Sequence, residues 1–255
     1  MITYRGTTGG LYRHDPSAYL THLNPRVSAI VCNSNAVQRN VKQIVWGDKV
    51  MVERIYKGHL TQWYQTDANS RSEFDLSDSD IIAICACNVR PSKGINILLE
   101  ALKDIQHQNF HMLLVGNGYE AHQDEINSSP MKERIHLLGH RKDVPQLMKM
   151  ADFQIQPSVS GEGLPRAVIE AMAGGTPCIV TTTGGSPELI ESGSSGYVVE
   201  AGNAKALHDA IKTMLDTRDG IKAMGEKARV RIDENFNLQQ SALDHVRLFE
   251  SLIRP

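Results

Sequence analysis

Short apolar runs alternate with longer amphipathic stretches through most of this chain. Six runs, Ile81 to Cys87, His111 to Val115, Ile135 to Leu138, Phe153 to Gln156, Cys178 to Thr181 and Tyr197 to Val199, are short and rich in Ile, Val, Leu and Phe and read as strands. They are near-continuous rather than strictly alternating, as expected of parallel strands buried on both faces, and the intervening helical patterns supply the two covering layers. A doubly wound α/β domain is predicted over residues 79–237, with its last helix, Leu238 to Ile253, in a separate segment, 238–255.

Residues 1–65 carry the same alternation in shorter form. Strands are expected at Ile2 to Tyr4, Ala29 to Cys32 and Val50 to Ile55, and a helix from Asn35 to about Ile44. Three strands bury little surface by themselves, so this part should depend on packing against the larger domain. Between the two, residues 66–78 are polar and acidic, with Asp67, Asp75, Asp78 and several serines, and read as a linker.

Composition narrows the function classes. Of 255 residues, 41% are hydrophobic, enough for a sizeable core, and the net charge of -2 gives no electrostatic case for nucleic acid. No apolar run approaches the ~20 residues of a membrane span, and the start Met-Ile-Thr-Tyr-Arg lacks signal-peptide character. A soluble, cytoplasmic protein is expected. Cys32, Cys85, Cys87 and Cys178 fall in apolar runs without metal-ligand spacing, so they read as buried reduced thiols. The pairs His107 with His111 and His136 with His140 straddle element boundaries and read as solvated or core-edge residues.

The richest chemistry lies between Ser158 and Ile190. Gly161 and Gly163 free the backbone around Glu162, and Pro165 suits a first helical turn, so a helix is expected from about Leu164 to Pro165 onward. Glu162 then stands just outside that helix and Glu170 inside it. The free N–H groups and the positive end of the helix dipole make an anion site flanked by carboxylates that accept hydroxyl hydrogen bonds.

This segment resembles the E-x7-E segment of family 4 glycosyltransferases, retaining enzymes of the GT-B fold that use nucleotide-sugar donors, and the resemblance extends less sharply from about Tyr4 to Asp209. It implies that Glu162 lies against the donor sugar and that Glu170 holds the ribose hydroxyls. The backbone N–H groups of Gly161, Gly163 and Leu164 would contact the distal phosphate. Lys93, in Cys87-Asn88-Val89-Arg90-Pro91-Ser92-Lys93-Gly94, matches the phosphate-binding lysine. The family usually carries an arginine five residues before it, where this chain has Asn88, so either Arg90 substitutes or one phosphate contact is weaker.

Further positions follow from the same resemblance. Glu188, after Gly184-Gly185-Ser186-Pro187, matches a motif near sugar and phosphate, and its plain alternative is a glutamate complementing a helix dipole. Gly116 and Gly118 fit G-x-G-x-x-A, a weak dinucleotide signal alone; in the glycosyltransferase reading this loop and Gly139-His140-Arg141 border the nucleotide. Arg5 and Gly6 fall on the acceptor side, Arg5 standing where many members have a histidine. Residues 1–65 would be the last part of an acceptor-binding domain, the C-terminal helix would cross back onto it, and the chain would be a fragment or truncated product.

The implied activity is transfer of a sugar, with retention, from a nucleoside-diphosphate sugar to an unidentified glycan, lipid or small molecule. No cofactor or metal beyond the donor is expected, and any peripheral membrane contact would belong to the missing N-terminal part. The alternatives are a non-catalytic nucleotide-sugar binding module or inactive truncated fragment, a nucleotide-sugar epimerase, against which the intact E-x7-E segment argues, and a glycosidase using Glu162 and Glu170. Glycosidase carboxyls lie about 5 to 9.5 Å apart, whereas eight residues of helix separate backbones by about 12 Å, which disfavours the last.

Overall fold

The computed structural model describes residues 1–47 and 49–253; Asp48, and Arg254 and Pro255 of the C-terminal segment, lie outside the described residues. The first part contains β1 (Ile2–Arg5), β2 (Ala29–Cys32), α1 (Asn35–Ile44) and β3 (Met51–Arg54). These strands form a parallel sheet in the order β1-β2-β3. Ser34 caps α1, its Oγ accepting from the Val37 N–H at 3.1 Å. The third strand is shorter at both ends than the apolar run suggests.

The larger part alternates β4 (Ile81–Ala86), α2 (Ile95–Leu102), β5 (Phe110–Val115), α3 (Gln123–Asn127), β6 (Ile135–Gly139), α4 (Val144–Met150), β7 (Phe153–Gln156), α5 (Arg166–Ala173), β8 (Cys178–Thr181), α6 (Ser186–Leu189) and β9 (Gly196–Val199), followed by α7 (Ala204–Asp216), α8 (Arg218–Asn235) and α9 (Leu238–Ile253). Its six strands are parallel, in the order β6-β5-β4-β7-β8-β9. This is the doubly wound arrangement, and its order reverses between β4 and β7, the place where such sheets open a crevice at their carboxyl ends.

Alternate residues of β4 explain the two layers. Ile81, Ala83 and Cys85 pack with Leu98 and Leu102 of α2 and Ile211 of α7, while Ile82 and Ile84 pack with Val168 and Met172 of α5 and Ile232 of α8. Each large aliphatic side chain buried this way contributes about 1.5 to 3 kcal/mol. A third cluster holds β2 against α1, and Leu248 of α9 covers Ala29, Val31 and Ile55 on the opposite face of the small sheet.

Residues 66–78 are more firmly tied down than their polarity suggests. Leu76 is buried in the larger core with Phe74 beside it. Arg71 donates to the Asp80 carbonyl at 2.7 Å and pairs with Asp152 at 3.2 Å, and Arg141 pairs with Glu73 at 2.8 Å. Two arginines from within and beyond the segment thus convert an acidic connection into a packed strap.

Candidate active site

Loops after β4 and β7 meet at the switch point. After β4 the chain makes a short 3-10 turn, Pro91–Lys93, and Gly94 follows with φ 65°. A Cβ on Gly94 would lie 2.2 Å from the Pro157 carbonyl oxygen, so only glycine lets this turn nest against the end of β7. Lys93 is thereby presented to the loop that carries Glu162. Its Nζ lies 2.6 Å from Glu162 Oε1, and the Ser158 hydroxyl donates to that oxygen, also at 2.6 Å. Gln156 Nε2 stands 3.4 Å away. The Glu162 side chain is 9% exposed, so its charge is sustained by these three donors rather than by bulk water.

Pro165 takes the cap position of α5 with extended ψ (119°), so the helix begins at Arg166, one or two residues later than expected. A proline ring restricts the residue before it to extended backbone, which keeps Leu164 out of the helix. The loop before α5 packs tightly against the first part of the chain. A Cβ on Gly163 would meet the Gly6 carbonyl oxygen at 1.9 Å, and the Thr8 hydroxyl donates to the Glu162 carbonyl at 3.2 Å.

Two adjoining cavities result. The first, about 380 Å³, is lined by Gly6, Arg90, Lys93, Gln156, Glu162, Gly163 and Leu164; the second, about 570 Å³, by Gly116, His140, Arg141 and Glu170. They share Ala86, Cys87, Asn88, Arg166 and Ala167, and so form one cleft around the N-terminus of α5. Gly161, with φ 76°, shapes the loop carrying Glu162. Gly118 sits beside Val89 and lets the loop after β5 lie on that after β4. Glu162 and Glu170 face different halves of the cleft. Arg166 pairs with Glu170 at 2.6 Å, one turn apart on α5.

Several expected site residues have other engagements. The Glu188 carboxylate accepts from the Asn35 and Ala36 backbone N–H groups, each at 2.9 Å, and from the Tyr56 hydroxyl at 2.9 Å. It caps α1 from across the cleft and lines neither cavity. Burial, with help from that carboxylate, pushes the Tyr56 hydroxyl up to about 12. Arg5 turns its guanidinium to the Gly9 carbonyl within its own loop and does not line the cavities. Arg141 lines the second cavity, but its guanidinium is taken by Asp143 and Glu73, and its bond to Asp143 holds that carboxyl well below the usual range. Asn88 Oδ1 accepts from the Asn117 N–H at 3.0 Å, fixing one loop on the other without adding charge.

Gln156, Ser158 and Arg166 escaped the sequence reading. Gln156 is 2% exposed and its Oε1 has no hydrogen-bond partner. A glutamine closing an apolar strand at the carboxyl edge of a parallel sheet was the available signal. Two of the histidines read as solvated or core-edge residues lie side by side: His111 Nδ1 is 3.0 Å from His136 Nε2, because β5 and β6 are neighbours. Among the described residues no group of three or more potential ligands could hold a metal, and no helix is long and apolar enough to cross a membrane.

A doubly wound sheet facing a smaller parallel sheet across a cleft defines a protein of GT-B type. The chain belongs to the family Glycosyl transferases group 1, which it matches over residues 67–231. Among curated relatives it is similar to N-acetyl-alpha-D-glucosaminyl L-malate synthase of Bacillus anthracis, with 29% identity over 206 residues, covering 79% of this chain and 52% of that protein. The chain therefore spans about half the length of that relative. Among solved structures it is similar to Anabaena HepE in complex with UDP-glucose (TM-score 0.79, 24% identity, 89% of this chain and 65% of that one). A glycosyltransferase from Rickettsia africae ESF-5 is similar over 99% of this chain and 70% of its own, with TM-score 0.83 and 23% identity. At these identities the likeness is one of fold.

Proposed function

We propose that the chain is a retaining glycosyltransferase, or the donor-binding portion of one, acting on a nucleoside-diphosphate sugar. The observation that carries this reading is the Lys93–Glu162 pair at the head of α5, with Glu170 eight residues on, facing the other half of the same cleft.

In this reading the nucleoside occupies the half near His140, with Glu170 accepting from the ribose hydroxyls. The diphosphate lies over the N-terminus of α5, where Lys93 and Arg90 add positive charge. The sugar then sits in the half lined by Glu162 and Gly6. As the anomeric bond to phosphate lengthens, negative charge grows on the departing oxygen, and the fixed ammonium and helix amides stabilise it. Glu162, held by Ser158 and Gln156, offers negative charge to the electron-poor sugar carbon on its other side. Retention follows if the departing phosphate takes the acceptor proton on the face it leaves. The four free cysteines suit a cytoplasmic setting. No metal is needed for these steps.

Asn88 favours a second reading, a nucleotide-sugar binding module without transfer, because it supplies no charge where the family usually has arginine. Incubation with UDP-glucose or UDP-galactose separates the two. Slow release of UDP, with the freed sugar keeping the donor's anomeric configuration by NMR, is expected of the enzyme. Binding without release favours the module, and an inverted sugar contradicts retention.

A further inference from the structure

Cys87 lies just past the end of β4 and lines both halves of the cleft, yet the chemistry above does not use it. Its Sγ is 4.0 Å from the Sγ of Cys85, a fully buried residue on the same face of the strand. The buried Tyr119 hydroxyl stands 3.6 Å from each sulfur. Two thiols and a phenol thus form a polar cluster in the floor of the cleft. Hydrogen bonding from Cys85, then Tyr119, with Lys93 nearby, lowers the Cys87 thiol to about 7, whereas Cys85 is pushed well up by its bond to Cys87 and by burial. One thiol is half-buried at the cleft and shifted toward ionisation; the other is fully buried and shifted away from it. An attacking thiolate with a resolving thiol in reach is the usual composition of an oxidation-sensitive pair.

We propose that Cys87 and Cys85 form a peroxide-sensitive dithiol whose closure to a disulfide blocks the cleft. That the blocked ligand is a nucleotide sugar rests on the reading above; the dithiol itself does not. In the first step the Cys87 thiolate attacks one oxygen of hydrogen peroxide, the O–O bond breaks, and hydroxide leaves and is protonated to water. The product is a sulfenic acid at Cys87. In the second step the Cys85 sulfur attacks the Cys87 sulfur, the S–O bond breaks, and the hydroxyl departs with the Cys85 proton as water. Two thiols are oxidised and one peroxide is reduced.

Closure brings the sulfurs from 4.0 Å to about 2.05 Å. Cys85 pairs with Leu114 inside the ladder, whereas Cys87 lies past the end of β4 and keeps one bond to β5, its N–H to the Val115 carbonyl at 2.9 Å, so Cys87 is the one that moves. The Cys87 carbonyl is packed so closely on Gly116 that a Cβ there would lie 2.2 Å from it, and the next residue, Asn88, is bonded to Asn117. An inward pull on Cys87 therefore displaces the floor where the two cavities meet. Cys32 and Cys178 are buried, and burial pushes both thiols up, so they serve as internal controls.

The test uses the full chain, reduced and then treated with hydrogen peroxide. Peptide mapping is expected to find a Cys85–Cys87 disulfide with Cys32 and Cys178 still reduced, all four thiols returning with dithiothreitol. UDP binding measured by calorimetry should be lost on oxidation and regained on reduction. Cys85→Ala, which removes the resolving sulfur together with its hydrogen bond to Cys87, should react more slowly and stop at a dimedone-reactive sulfenic acid on Cys87. Over-oxidation of wild-type Cys87 without a disulfide, a link to another cysteine, or an unreacted Cys87 overturns the dithiol. A disulfide that leaves UDP binding unchanged overturns the blocking. If the reduced chain binds none of UDP, GDP and ADP, the donor reading fails, and the disulfide map still decides the dithiol.

Discussion

The Lys93 ammonium lies 2.6 Å from the Glu162 carboxylate although 69 residues separate them in sequence. The doubly wound order makes this meeting: β4 and β7 are neighbours at the switch point, so the turn after one and the loop after the other converge at their carboxyl ends. The pair stands beside the N-terminus of α5, where a second source of positive potential adds to the ammonium. A bound phosphate would compete with Glu162 for Lys93, which makes this contact the hinge of the functional reading.

Lys93→Ala is accordingly expected to lower nucleotide affinity about ten- to a hundredfold, the value of a lost charge-assisted hydrogen bond. It also strips the counterion from a carboxylate that is 9% exposed, so thermal stability should fall as well. Calorimetry and a melting curve check the two effects, and unchanged affinity would remove Lys93 from the site.

Glu188 is expected to behave differently. Its carboxylate caps α1 and joins Tyr56, so Glu188→Ala should destabilise the first part by about 1 to 3 kcal/mol. Trp46 and Trp63, the chain's two tryptophans, both lie before residue 66 and report that unfolding by fluorescence in urea. The Tyr56 hydroxyl, now near 12, should titrate lower in the variant. Nucleotide affinity should change far less than for Lys93→Ala.

The strands and the two covering layers were legible because β-rich apolar runs and helical periods are local signals; β2, β7 and β8 fall where those runs lie. Glu162, Glu170 and Lys93 stood out because glycines and a proline mark the loops around them. The uses of Glu188 and Arg141 were not legible, since a carboxylate at a helix start or a guanidinium in a loop looks the same whether it faces a ligand or another helix. Only the placement of α1 and of Glu73 decides. Gln156 was hidden for a related reason: its partners, Ser158 and Glu162, come from a loop whose path depends on Gly6 and Gly94.

His59 gives the fold a pH dependence. It is buried, bonded through Nδ1 to the Tyr64 hydroxyl, and its backbone N–H donates to the Phe236 carbonyl at the junction with α9. Burial, with Lys57 and Arg166 nearby, lowers it from 6.5 to about 4. Above pH 6.5 the ring is neutral in both folded and unfolded chains, and stability is full. Between pH 6.5 and 4 only the unfolded chain takes the proton, so stability falls; below pH 4 this group contributes no further loss. Burial also lowers His22, His111 and His136, which act in the same direction. Melting temperatures of wild type and His59→Asn across this range isolate the contribution, which should appear as a shallower acid slope in the variant.

The central claim is that this cleft holds a nucleoside diphosphate with Glu170 on the ribose. The most direct measurement is calorimetric titration of wild type and Glu170→Ala with UDP, GDP and ADP. Selective binding of one nucleotide by wild type, lost in Glu170→Ala, is expected. Equal binding by the two proteins, or no binding of any nucleotide by wild type, would contradict it.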